Sequence, residues 1–388
     1  MKQKNIFLYL GALSLFLLLG VSSCQKQEDN TLEVIKLEAT TDLPEKQLFS
    51  KVEAVALECN DGEYLSDIDK LIPVGDYMAV SDRNNVIYVF TKDGKMISNS
   101  KNKIGHGPNE YSIVTAFTFN PYSKSVEILT PRDMLVYDVH FNLKNKVNLP
   151  TKMDPKGKDL LFFGGIYDLS EKKHVLIPSA VSKISTQVML FDSSVAKIVK
   201  NSSFEEDAFK ESNMQSQSFF SEGNKGLTFV PPFKTDYVYS FDKDNFSFVK
   251  KYQFERGAGA LKKEDYKQFE NDERKLLSFC LNTDKEIPVS SFDTSGNVVV
   301  VMKKGRKLSD WFTLFYDKSS KQVARVNQFT DKKMSFPLVK YADANCLYAS
   351  VDGKVLDGIL EHLNKQGIKV EANKQEKGSI YVLKYYLK

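Results

Sequence analysis

Hydrophobic positions along this chain fall into short runs, and six of these runs share one form: two apolar residues, then an aromatic residue, usually followed by Asp. The copies are Tyr88-Val89-Phe90, Leu135-Val136-Tyr137-Asp138, Met189-Leu190-Phe191-Asp192, Val238-Tyr239-Ser240-Phe241-Asp242, Leu314-Phe315-Tyr316-Asp317 and Tyr381-Val382-Leu383-Lys384-Tyr385. They recur about every fifty residues, and a fixed period of that size built from short strands is how a β-propeller is written in sequence. The expected fold class is all-β, a six-bladed β-propeller with small helical insertions.

The surrounding runs fill in the blades. Blade 1 is expected over 66–100, with Tyr77-Met78-Ala79-Val80-Ser81 as one strand and Lys92-Asp93-Gly94-Lys95 as a hairpin turn. Blades 2 to 6 follow over 113–149, 160–200, 217–254, 289–327 and 337–387. Blade 6 is one strand short, and the strand-like run Val52 to Leu57, ahead of blade 1, is expected to complete it and close the ring. Two insertions interrupt the period. Leu261 to Phe279 and Lys354 to Gln366 carry apolar residues at helical spacing, the second ending before Gly367, and each is expected to be a helix lying on the propeller.

The first 23 residues read as an address rather than as part of the fold. Lys2 and Lys4 precede an apolar run from Ile6 to Val21, and Val21-Ser22-Ser23-Cys24 resembles a bacterial lipobox cut just before Cys24. The expected organisation is a signal peptide over 1–23, a lipidated Cys24 with a polar tether to residue 31, and the propeller over 32–388. Lipid on Cys24 would hold the protein on a membrane. The acidic pair Glu28-Asp29 in the tether resembles a surface-export signal, so both a periplasmic and a surface-exposed position at the outer membrane remain open.

Charge narrows the partners. The chain has 54 Lys and Arg against 50 Asp and Glu, and removal of 1–23 takes away Lys2 and Lys4. That near balance argues against nucleic acid as a partner. Beyond Cys24, the cysteines Cys59, Cys280 and Cys346 are far apart with no CxxC spacing, and they read as small buried hydrophobes. No G-x-S-x-G elbow, H-E-x-x-H, P-loop or Rossmann glycine pattern is present, and His140, His174 and His362 have no ligand-spaced partner.

Candidate binding residues come from the loops, since a rigid scaffold presents function on its connections. With strands named a to d from the centre outward, the a–b and c–d turns are short, and the b–c and d–a connections are longer and more varied. The b–c connections hold Arg83, Arg132, Lys183, Lys234, Lys304 and Arg306. A basic ring of this kind favours an anionic ligand, such as a uronate, a sulfated glycan or a peptide carboxylate. Between blades 1 and 2 stands Gly105-His106-Gly107-Pro108-Asn109-Glu110-Tyr111, whose glycines and proline impose a particular backbone path. Two expectations attach to it: a structural one, in which Glu110 binds backbone amides and Tyr111 packs, and a ligand-binding one through His106 and Glu110.

Asp93-Gly94-Lys95 followed by this GxGPxEY pattern resembles the six-bladed β-propeller lipoproteins of Gram-negative gut commensals, with Asn109 where that family often has Gly. The resemblance implies the fold and the lipoprotein address; it implies no reaction. The expected function is a membrane-anchored binding or scaffolding lipoprotein for a glycan, a peptide or an envelope protein. The alternative is a propeller hydrolase, lyase or lactonase with a divalent cation at the channel, for which Asp82, Asn84, Glu110 and Asp133 supply oxygen donors.

Overall fold

The computed structural model describes residues 32–38, 45–60, 62–151, 161–179, 187–204, 219–223, 226–231, 236–269, 272–373 and 379–388. Cys24, Lys183 and Lys234 therefore lie outside the described residues. The strands form a six-bladed β-propeller. Blade 1 is β3 (Lys70–Val74), β4 (Tyr77–Ser81), β5 (Ile87–Thr91) and β6 (Met96–Asn99). Blade 2 is β7 (Ala116–Asn120), β8 (Ser125–Leu129), β9 (Asp133–Tyr137) and β10 (Leu143–Asn148). Blade 3 is β11 (Phe163–Asp168), β12 (Lys173–Pro178), β13 (Gln187–Asp192) and β14 (Lys197–Ser203). Blade 4 is β15 (Phe220–Gly223), β16 (Gly226–Phe229), β17 (Tyr237–Asp242) and β18 (Ser247–Glu255), with β1 (Glu33–Lys36) added in parallel to its outer edge. Blade 5 is β19 (Glu286–Asp293), β20 (Asn297–Lys304), β21 (Phe312–Asp317) and β22 (Val323–Asn327).

Blade 6 closes the ring as the sequence predicts. Its strands are β25 (Val339–Ala342), β26 (Cys346–Asp352), β28 (Ile380–Leu387) and then β2 (Phe49–Leu57), antiparallel to β28. The closing strand begins at Phe49 rather than Val52. A two-stranded hairpin of β23 (Phe329–Thr330) and β24 (Lys333–Met334) links blades 5 and 6, and a fifth strand of blade 6, β27 (Lys369–Ala372), pairs in parallel with β2. The fifth strands β1 and β27 are findings the periodicity did not signal, because both stand outside the repeat.

The core lies in six seams between neighbouring blades. One side of the seam between blades 2 and 3 is Leu129, Met134 and Val147, and the other is Phe163, Leu176 and Phe191. The seam between blades 6 and 1 joins Leu57, Ile380 and Val382 to Met78, Val80 and Phe90. This placement explains the hydrophobic pattern. Middle strands touch a neighbour on both faces and read as unbroken apolar runs, so Val298 to Met302 of β20 are all buried. Outer strands such as β14 face water and are largely polar.

The six-fold signature now has a physical content. It is strand c of every blade, and its aromatic residues Phe90, Tyr137, Phe191, Phe241, Tyr316 and Tyr385 are all buried in seams. The Asp that follows starts the c–d turn. Asp138 Oδ1 accepts the N–H groups of His140 and Asn142, each at 2.9 Å, and Asp317 Oδ1 accepts those of Ser319 and Ser320, each at 2.8 Å. Burial works against ionisation of Asp138, but the Asn142 and His140 amides outweigh it and hold the carboxyl down to about 2. These aspartates are turn formers.

The insertions are helical. Gly353–Lys365 starts at Asp352, whose carboxylate accepts the Lys354 N–H (2.8 Å), and it is followed by Gly367 at φ +73°. Leu356, Ile359, Leu360 and Leu363 enter the seam between blades 5 and 6. His362, on this helix, bonds Glu45 (2.9 Å) and so ties the helix to the residues preceding β2. The other insertion holds Lys263–Tyr266 and Glu273–Asn282, and Cys280 packs there with Leu261 and Ile287. Among the described residues Cys59, Cys280 and Cys346 form no disulfide. Among the described residues no helix is long and apolar enough to cross a membrane.

Phe49 couples closure to packing, since its ring lies 5.6 Å from Phe315, 5.7 Å from Phe336 and 5.1 Å from Tyr385. Phe49→Ala is expected to lower unfolding stability by about 3–5 kcal/mol in a denaturant titration. Deletion of 32–60 is expected to abolish the single cooperative transition; a truncated chain that melts like the intact one would show that β2 does not close the ring.

Candidate functional site

Where strands a turn into strands b, five of the six inner strands enclose a cavity of about 270 Å³ at the channel. Its wall is largely apolar and aromatic, including Ile72, Phe119, Tyr122, Tyr167, Phe220 and Tyr341. The charged residues on it are Lys70, Asp168, Glu222 and Asp343. Lys70 Nζ donates to the Phe117 carbonyl (2.8 Å), and burial pushes its ammonium down to about 8 against the pull of Asp168 and Asp69. Asp343 is committed to its own turn, accepting the N–H groups of Asn345 and Cys346 and the Tyr348 hydroxyl. The cavity therefore mixes aromatic surface with charges of both signs. It reaches the a–b end of the channel, opposite the b–c loops to which the sequence assigns binding.

Beside this cavity lies a buried cluster of Glu127, Asp168 and His174. Asp168 ends β11 and His174 lies near the start of β12, opposite it in the hairpin register. Glu127 comes from β8 of the neighbouring blade, where it pairs with Thr118. His174 Nδ1 lies 2.8 Å from Asp168 Oδ1 and 3.1 Å from Glu127 Oε2. Thr118 Oγ1 donates to Asp168 Oδ2 (3.1 Å), and Asn120 Nδ2 donates to Glu127 Oε1 (2.9 Å). Burial, reinforced by Glu127, holds the Asp168 carboxyl well above the usual carboxylate value. Burial also opposes the imidazolium of His174, but the two carboxylates outweigh it and hold its pKa above the ordinary histidine value.

Ser193 Oγ stands 3.1 Å from His174 Nε2, which gives the connectivity of a Ser-His-Asp triad. The protons run the other way. Ser193 Oγ donates to the Lys172 carbonyl (3.1 Å), which leaves His174 Nε2 as the donor in its contact with that hydroxyl. General-base activation of a serine needs a neutral imidazole that accepts from the hydroxyl, so this geometry is not that of an acyl-transfer triad.

Asp293 is the counterpart in blade 5, again the last residue of an inner strand. It is neutralised by lysines: Lys318 Nζ at 2.6 Å and Lys251 Nζ at 2.7 Å, with Thr228 Oγ1 donating at 2.7 Å. Burial alone would raise its carboxyl, but Lys318 and Lys251 hold it below the ordinary value. The two clusters occupy equivalent strand ends with opposite charge balance.

The sequence-predicted binding residues that the structure describes do not join either feature. Arg83 pairs with Asp67 (2.7 Å) at the surface, and Arg132 and Arg306 are exposed; none of them lines the cavity. Tyr111 is 2% exposed, and its hydroxyl binds Ser100 and the Asn85 carbonyl. Glu110 Oε2 accepts the Gly107 N–H (2.9 Å), and a Cβ at Gly105 would stand 2.0 Å from that oxygen. The GxGPxEY segment thus makes the Glu110 and Tyr111 contacts of its structural expectation, and His106 is exposed. Asp82 caps its own turn through the N–H groups of Asn84 and Val86, and Asp133 pairs with Lys146 (3.1 Å), so the proposed cation donors are each engaged locally. His174, which has no partner at ligand spacing in the sequence, is the histidine that the fold provides with two carboxylates.

Two outcomes are expected. Gly105→Ala lowers the melting temperature by displacing Glu110, whereas His106→Ala leaves it unchanged. Asp293 has a lowered carboxyl pKa, so the stability it lends is present above its ordinary value near 3.8 and disappears as pH falls through the folded value. Asp293→Asn is therefore expected to cost about 3 kcal/mol near neutral pH, with the difference from wild type shrinking below pH 4 in acid-unfolding curves.

Comparison with known proteins agrees with the fold. A crystal structure of a candidate exported protein from Bacteroides fragilis superimposes with a TM-score of 0.66 at 15% identity, covering 92% of this chain and 100% of that one. A member of the DUF4221 family from Bacteroides vulgatus superimposes with a TM-score of 0.53 at 12% identity, covering 88% of this chain and 97% of that one. No functionally curated protein matches. Residues 32–382 match the family described as a domain of unknown function, DUF4934, and with the match spanning nearly the whole propeller the chain belongs to that family.

Proposed function

We propose that the protein is a ligand-binding lipoprotein of the bacterial cell envelope, held to the outer membrane by lipid on Cys24 and taking a small ligand into the inner-strand cavity. The cavity carries this reading. It is concave, mostly apolar and aromatic, and has a few polar groups, the usual composition of a small-molecule site. The lipobox-like Val21-Ser22-Ser23-Cys24 and the exported description of the Bacteroides fragilis neighbour support the address.

The ligand class shifts from the sequence expectation. Lys70 shares the wall with three carboxylates, which disfavours a polyanion; aromatic rings beside mixed charges suit a neutral or zwitterionic glycan or peptide fragment. The test is calorimetric titration of neutral oligosaccharides, short peptides and acidic glycans. Tyr122→Ala and Glu222→Ala, both at exposed positions of the wall, are expected to weaken binding on the order of tenfold without lowering the melting temperature. Loss of binding in Arg132→Ala and Arg306→Ala instead would move the site to the b–c loops. Turnover of a bound ligand would replace the binding reading with the enzymatic one.

A further inference from the structure

We propose that Glu127, Asp168 and His174 bind a divalent transition-metal ion, Zn²⁺ foremost, in the seam between blades 2 and 3. This assignment stands independently of the ligand-binding reading. The three donor atoms, Glu127 Oε2, Asp168 Oδ1 and His174 Nδ1, already converge: the two oxygens lie 3.1 and 2.8 Å from the nitrogen, and one ligand atom from each residue lies within 4.8 Å of the others. Bonds of about 2.0–2.2 Å at a tetrahedral ion place neighbouring donors about 3.3–3.5 Å apart, so the two nitrogen–oxygen separations need to open by only a few tenths of an ångström.

The remaining atom of each ligand is held by an outer partner. Asn120 Nδ2 and Ser125 Oγ donate to Glu127 Oε1 (2.9 and 3.4 Å), and Thr118 Oγ1 donates to Asp168 Oδ2 (3.1 Å). Ser193 Oγ stands at His174 Nε2 (3.1 Å), where it accepts from the nitrogen that a metal-bound ring keeps protonated. Outer partners of this kind orient metal ligands and fix the histidine tautomer.

Two further observations call for a cation. Glu127 Oε2 is buried and receives no hydrogen bond, although His174 Nδ1 is 3.1 Å away, because that ring nitrogen is directed at Asp168. A buried carboxylate oxygen with no donor is costly unless a cation satisfies it. Moreover, among the described residues neither Glu127 nor Asp168 forms an ion pair with a lysine or arginine, whereas Asp293 at the equivalent strand end has two lysines. Donor chemistry selects the ion. One imidazole and two carboxylates in a dry seam suit a four-coordinate first-row ion, with water in the fourth position, better than Ca²⁺, which takes 6–8 oxygen ligands.

The experiment is metal analysis of the tag-free full chain, purified without chelator, followed by EDTA treatment and titration with Zn²⁺ and Co²⁺. About one ion per chain is expected, with a rise in melting temperature on Zn²⁺ addition and a four-coordinate visible absorption with Co²⁺. His174→Gln and Glu127→Gln should abolish both. Should either variant fail to fold, Ser193→Ala, which removes only an outer partner, is expected to fold and weaken Zn²⁺ binding about 10–100-fold. Absence of stoichiometric metal, together with no thermal or spectral response of the wild-type chain to Zn²⁺ or Co²⁺, would overturn the assignment. A spectral response that Ser193→Ala and Glu127→Gln leave intact would place the ion elsewhere and overturn it equally.

Discussion

Everything in this molecule depends on apolar packing between neighbouring blades. A four-stranded sheet of this size has two faces to bury and no core of its own; it becomes stable when a neighbour covers each face. That single constraint sets the composition of the strands, the aromatic residue of the six-fold signature and the need for a closed ring. Leu57, Ile380 and Val382 pack against Phe90 in one such seam, and Phe49 packs against Phe315 and Tyr385 in the next. Strand β2 therefore holds the seams on both sides of blade 6.

The same constraint determines what the inner strands can do. Their outer faces are spent on the seams, so polar groups accumulate where strand a turns into strand b, beside the channel. Two such strand ends carry a buried aspartate. At Asp293 a lysine of β18 and one from the turn after β21 supply the opposite charge. At Asp168 a second carboxylate and a histidine come instead. Equivalent backbone positions thus became a neutralised crosslink in one blade and a charge-deficient pocket in another, with side-chain choice alone making the difference.

The architecture was legible because seam packing repeats, and a repeat is visible in one dimension. The aromatic residue marks strand c, and its following Asp marks the turn through a local side-chain to backbone bond. Blade 6 could be seen to lack a strand for the same reason. The cluster was not legible as a site, because its members come from three strands of two blades. Two weak signals existed. Glu127 interrupts the apolar run Val126-Glu127-Ile128-Leu129, which is unusual for a strand buried on both faces. Asp168 and His174 stand symmetrically about the Leu169 to Lys173 turn, which places them opposite each other in a hairpin. The basic b–c loops lie apart from the cavity and the cluster, with Arg83 paired to Asp67 and Arg132 and Arg306 exposed. The conspicuous GxGPxEY segment shapes a backbone crossing, so its distinctiveness reflects steric demand around Glu110.

Ring closure by β2 against β28 joins residues 49–57 to residues 380–387. A chain that emerges N-terminus first cannot form this pairing until almost its last residue has appeared. Blades 1 to 5 can assemble in order as they emerge, but the ring stays open throughout, with β2 waiting for a partner more than three hundred positions away. Completion of the fold is therefore also a check on length: a product lacking residues 380–387 leaves β2 and β26 without the strand that joins them, and the ring open at blade 6.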